Sequence, residues 1–96
     1  MLKYQALFEP AEEGGFVVTF PDVEPAITQG DTEEEATLMA ADVLTLAIEH
    51  YIDKGLPLPK AKTHRGPHYR WIRLPAIASA KAELHNAFLE SGSPQS

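Results

Sequence analysis

The sequence predicts an α+β domain in the order β-β-β-α-β-α: a three-stranded antiparallel sheet, a fourth strand after a crossover helix, and two helices packed on the sheet. Three observations carry this. Residues 2–8, 16–20 and 68–74 alternate their side chains with the period of two expected of strands. Residues 32–54, and the stretch after Pro75, repeat apolar side chains every three or four positions, the period of a helix. Glycine and proline fall between these stretches and not inside them. A chain of 96 residues without an internal repeat suits one small domain, expected over residues 1–92.

In the first strand Leu2, Tyr4, Ala6 and Phe8 alternate with Lys3, Gln5 and Leu7. Gly14-Gly15 can supply the positive φ of a hairpin turn, so residues 16–20 should pair antiparallel with the first strand. Pro21 has no N–H to give a ladder and stops that strand. Residues 21–25 read as irregular, 26–29 as a short third strand, and Gly30 as the turn into a helix. Thr32 and Glu35 form a Thr-x-x-Glu capping box, with Glu33 and Glu34 at the positive end of the helix dipole. The expected apolar face of this helix is Ala36, Met39, Ala40, Val43, Ala47, Ile48 and Tyr51, widened by Leu44 and Ile52. Gly55 follows its C-cap, with Pro57 just beyond. Residues 56–67 read as a surface loop. In the fourth strand Tyr69, Trp71 and Arg73 lie opposite Arg70, Ile72 and Leu74, so both faces are partly apolar. Pro75 opens the second helix where a missing N–H costs nothing. Ile77, Ala80, Leu84, Ala87 and Phe88 are its expected core stripe, and Gly92 its stop. Residues 93–96 are polar: a disordered tail, or the approach to a further helix.

The chain has no cysteine, so disulfides and thiolate metal sites are excluded. No secretory signal opens it, and no apolar run approaches the roughly 18 residues that span a bilayer. Cytoplasm is the expected compartment. The net charge of −6 is segregated. Residues 1–53 hold twelve acidic side chains and one basic, whereas residues 54–81 hold seven basic and none acidic. The acidic part repels nucleic acid and attracts a basic protein.

Five short motifs, in order, point to a family. Tyr4-x-Ala6-x-Phe8, Gly14-Gly15-Phe16, Phe20-Pro21-Asp22, Thr28-Gln29-Gly30-Asp31 and Glu34-Glu35-Ala36 together resemble the N-terminal domain of HicB-type antitoxins. The resemblance implies a partial RNase H-like fold without the catalytic set. It also implies a partner, a small basic HicA-type mRNA-cleaving ribonuclease, whose RNA-binding and catalytic surface the domain covers. In the family, operator binding looks like the task of a separate C-terminal segment. Either the chain is cut before such a segment or the protein lacks it, so transcriptional autoregulation falls outside these 96 residues.

No reading of the residues favours an enzyme. A two-metal nuclease needs carboxylates converging on ions about 4 Å apart. The candidates Glu9, Asp22, Asp31 and Asp42 do not lie at inward strand positions, and Asp22 and Asp31 suit turn and cap chemistry. His64 and His68 are spaced as a metal pair, but Gly66-Pro67 breaks the helix that spacing needs, so they read as loop histidines. His50 and His85 read as surface or satisfied core residues. Thr19 and Ser79 have no adjacent base, and Gly14-Gly15 does not open a helix as a phosphate loop does. No cofactor is expected. Tyr69 and Trp71 among basic residues suit either a nucleic-acid stacking surface or a strand that buries Trp71.

Two readings remain. As an antitoxin domain, the chain would meet the toxin through Glu12, Glu13, Asp22, Glu24, Glu33 and Glu34. As a non-catalytic regulatory or structural homodimer without a toxin, it would pair its fourth strand with a second copy through Tyr69, Trp71 and Arg73.

Overall fold

The computed structural model describes residues 2–91. The expected element order is found: β1 (Lys3–Pro10), β2 (Phe16–Thr19), β3 (Ile27–Gly30), α1 (Glu33–Asp53), β4 (Tyr69–Arg73) and α2 (Ala76–Glu90). The strands form one antiparallel sheet in the spatial order β3-β2-β1-β4. The chain leaves the sheet at one edge, crosses as α1, and returns at the other. The expected stop at Gly92 and the tail at 93–96 lie outside the described residues.

The register joins Phe8 to Val18 and Tyr4 to Ile72, which places four large apolar side chains on the face that the helices cover. Ala6 lies between them, fully buried. The link between β2 and β3 is irregular but not superficial. Phe20 N–H donates to Ala26 O (3.2 Å), and Val23 N–H and Ala26 N–H close successive turns on Phe20 O and Val23 O. These bonds satisfy the backbone while Phe20, Val23 and Ala26 enter the core.

α1 begins as its capping box predicts. Thr32 Oγ1 accepts the Glu35 N–H (3.0 Å), while the Glu35 carboxylate reaches back to the Asp31 N–H (2.6 Å), one residue before the usual position. Its buried line is Ala36, Ala40, Leu44 and Ile48, each four residues from the last. Leu44 therefore sits at the centre of the face and not at its margin, and Met39 is exposed. At the near end, a Cβ on Gly30 would lie 2.5 Å from the Ala36 nitrogen, so β3 and α1 touch backbone to backbone. The far end closes with Gly55 at φ 68°, Gly55 N–H on Ile52 O and Leu56 N–H on Tyr51 O, the paired bonds of a Schellman motif.

Two expectations are corrected. The stripe Ile77, Ala80, Leu84, Ala87 and Phe88 of α2 faces away from the core. The buried side is Ala78, Ser79 and Ala82, with the Ser79 hydroxyl accepting the Leu2 N–H (3.2 Å). Small side chains allow the close approach that the larger ones would prevent. Trp71 likewise is 43 % exposed on the sheet face opposite the helices, with the Lys3 ammonium 4.8 Å from its ring centre.

Candidate functional site

The sheet has two ends, and topology decides which acids share one. β1 rises to the hairpin, β3 rises to the start of α1, and Phe16 pairs with both Pro10 and Gly30. Glu12 and Glu13, exposed in the hairpin turn, thus sit at the same end as Glu33 and Glu34, exposed in the first turn of α1. The turn is held by Gly14 N–H on Ala11 O and Ala11 N–H on Gly15 O, both 3.0 Å, with Gly14 and Gly15 at positive φ. A shallow groove of about 210 Å³ joins the two segments and has Glu13 and Asp31 among its lining residues. Glu33 is partly occupied: its carboxylate lies 3.4 Å from the Arg70 guanidinium, both side chains being about half exposed. Arg70 itself is fixed by the carbonyls of Pro67 and Tyr69.

Asp22 and Glu24 lie at the opposite end, after β2. Glu24 is exposed, whereas the Asp22 side chain is only 5 % accessible. Its carboxylate accepts the Lys62 N–H (2.8 Å) and has both oxygens 3.0 Å from His64 Nε2. Burial raises the Asp22 pKa, but the Lys62 N–H and the His64 ring outweigh it, and the group ends below its ordinary value. The His64 ring also stacks on Tyr69 (centroids 5.3 Å apart), and the His64 backbone N–H donates to the Gln5 side-chain carbonyl. On the helix side of the sheet, Tyr4 Oη donates to Pro59 O (2.8 Å). Burial pushes that phenol above its usual pKa, with Tyr51 and Asp22 adding to the effect.

Residues 56–67 are therefore not a free loop. They form a strap that passes from the helix side, at Tyr4, to the open face, at Gln5 and Tyr69. His64 is a structural partner and not a chance loop histidine. No signal in a single sequence joins it to Asp22, 42 positions away. His85 Nε2 donates to Leu56 O (2.8 Å) and ties α2 to the start of the same strap.

β4 is an edge strand. Phe8 N–H donates to His68 O and Leu74 N–H to Leu2 O, which bracket the β1–β4 ladder. By antiparallel alternation, His68, Arg70, Ile72 and Leu74 turn their backbone groups inward, and Tyr69, Trp71 and Arg73 turn theirs to the open edge. The nuclease candidates are not brought together: Glu9 and Asp31 lie at the hairpin end, Asp22 at the other, and Asp42 on the solvent side of α1. Among the described residues, no three histidine or carboxylate side chains converge as a metal-binding cluster. No helix among them is long and apolar enough to cross a membrane.

Comparison with known proteins agrees with this frame. A family model described as the HicB-like antitoxin of bacterial toxin-antitoxin systems matches residues 3–83. Antitoxin HicB 1 of Photorhabdus laumondii is 42 % identical over 93 residues, which cover 94 % of this chain and 56 % of that protein. Antitoxin HicB of Escherichia coli K12 is 37 % identical over 92 residues, covering 94 % of this chain and 64 % of the relative. Antitoxin HicB of Pseudomonas fluorescens is 32 % identical over 90 residues, covering 93 % and 62 %. The chain belongs to the HicB-like antitoxin family. It spans 56 to 64 % of the length of these relatives.

Proposed function

We propose that this chain is the toxin-neutralising domain of a type II antitoxin and that it holds a small basic HicA-type ribonuclease against its hairpin end. The observation that carries this is the convergence of Glu12, Glu13, Glu33 and Glu34, from two separate segments, on one exposed end of the sheet. Carboxylates so placed can stand where RNA phosphates would lie on a cationic toxin. Glu24 lies outside that patch and would touch only a partner that reaches around the sheet. Asp22 contributes by anchoring the strap, its oxygens being engaged already. In this reading the domain is non-catalytic and cytoplasmic, and DNA-binding autoregulation resides in a C-terminal segment outside these 96 residues. The test is calorimetric titration of the chain with a HicA-type ribonuclease at two salt concentrations. Wild type should bind, more weakly at the higher salt. Glu12→Lys with Glu34→Lys should lose about tenfold or more in affinity. Absence of a complex at low salt refutes the reading.

The outward-turned backbone groups of Trp71 and Arg73, with the Tyr69 N–H beside them, favour a second reading, a homodimer that continues the sheet across β4 without any toxin. Paired about Trp71, each Arg73 would oppose the Tyr69 of the second copy, a contact of cation and aromatic ring. Light scattering that finds only monomer at the highest soluble concentration rules it out.

A further inference from the structure

α2 keeps its small residues inside and its large ones outside. Ile77, Leu84 and Phe88 are 76, 72 and 59 % exposed, and Ala80 and Ala87 lie among them on the solvent side. At about 100° per residue these five side chains share one arc, and no charged side chain falls within it. Lys81 flanks the arc, but its ammonium is drawn to Glu49 on α1 at 4.0 Å. Its methylene stem remains beside the stripe. Next to Leu84 and Phe88 the surface sinks into an apolar dimple of about 300 Å³, walled on the α1 side by Ile52.

We infer that this stripe is an interface between two copies of the chain, packed with their α2 helices antiparallel about a two-fold axis. Area is the first argument. Three large side chains so exposed, with the alanines between them, present on the order of 400–500 Å² of apolar surface, within the ~300–600 Å² of the largest and often functional patch on a monomer. Two such stripes together approach the ~1,000 Å² at which specific interfaces begin. Self-complementarity is the second. A two-fold contact must fit its own image. The stripe carries a knob, Ile77, at one end and the dimple at the other, roughly 13 Å along the helix at 1.5 Å per residue. Antiparallel packing seats each Ile77 in the dimple of the other copy and lays each Leu84 against Ala80 and the Lys81 stem. The alanines allow the axes to come within the ~8–10 Å of packed helices. This contact is independent of the acidic end and of the β4 edge.

The test is sedimentation equilibrium of the chain and its variants, with circular dichroism to confirm the fold. Wild type should show a concentration-dependent dimer. Leu84→Glu and Ile77→Lys, each at a site that already faces water, should weaken it at least about tenfold. Trp71→Ser, at the β4 edge, should leave it unchanged. Because the chain has no native cysteine, Ile77→Cys combined with Phe88→Cys reports the register directly and should yield a covalent dimer under mild oxidation. A monomeric wild type, a dimer indifferent to both stripe substitutions, or a doubly substituted chain that stays uncrosslinked overturns the inference. So does a stripe that is covered only when a HicA-type ribonuclease is added.

Discussion

Replacing Asp22 by Ala tests whether the strap is fastened where the geometry says. The substitution leaves the Lys62 N–H and the His64 ring without their acceptor, beneath a side chain that is 5 % accessible. A hydrogen bond to a charged acceptor is worth about 1.5–3 kcal/mol. The His64 side is partly open to water and counts at the low end, so the expected loss is about 2–3 kcal/mol. For a domain of this size that lowers the melting temperature by roughly 10–20 °C. Urea unfolding followed by the fluorescence of the single tryptophan, Trp71, measures it. The pH dependence has a defined sign. The folded carboxyl titrates below its unfolded value of 3.8, so its contribution is complete above that value and is lost as pH falls through the lower folded one. The gap between wild type and variant should be present at pH 7 and close below about pH 4. A variant within about 0.5 kcal/mol of wild type at pH 7, or a gap that persists undiminished at pH 2, would show that the clasp does not hold the strap.

Other perturbations probe the frame that positions the acidic end. Gly30→Ala places a Cβ 2.5 Å from the Ala36 backbone nitrogen, which neither element can yield without separating, and should cost on the order of 1–3 kcal/mol in the same urea assay. Thr32→Ala removes the acceptor of the Glu35 N–H and should cost about 1 kcal/mol, with early fraying of the first turn of α1 in hydrogen exchange. Leu44→Ala opens a cavity at the centre of the α1 face and should cost about 2–5 kcal/mol, whereas Met39→Ala should change stability by less than about 1 kcal/mol.

What could be read from the sequence is what the backbone decides locally. Thr32 caps the helix three residues before Glu35, Gly55 takes the left-handed turn, and Tyr4, Ala6 and Phe8 alternate, because each signal lies within a few residues of its effect. The line Ala36, Ala40, Leu44 and Ile48 was also within reach, since exact four-residue spacing marks the centre of an apolar arc better than the arc's full width does. The Asp22–His64 clasp was not, because its two halves are brought together only by the completed strap. α2 failed differently. Its apolar period is real, but the period alone cannot say against which neighbour the apolar side is buried. Here the domain takes the Ala78–Ser79–Ala82 side, where the Ser79 hydroxyl accepts the Leu2 N–H at the start of β1, and leaves Ile77, Leu84 and Phe88 outside. A helix that carries small residues inward and large apolar ones outward has its own fold satisfied first and still holds unspent apolar surface. Apolar spacing therefore marks a face suited to burial without naming its partner, and the mismatch between the α2 stripe and the domain core is the physical reason to look for a second molecule there.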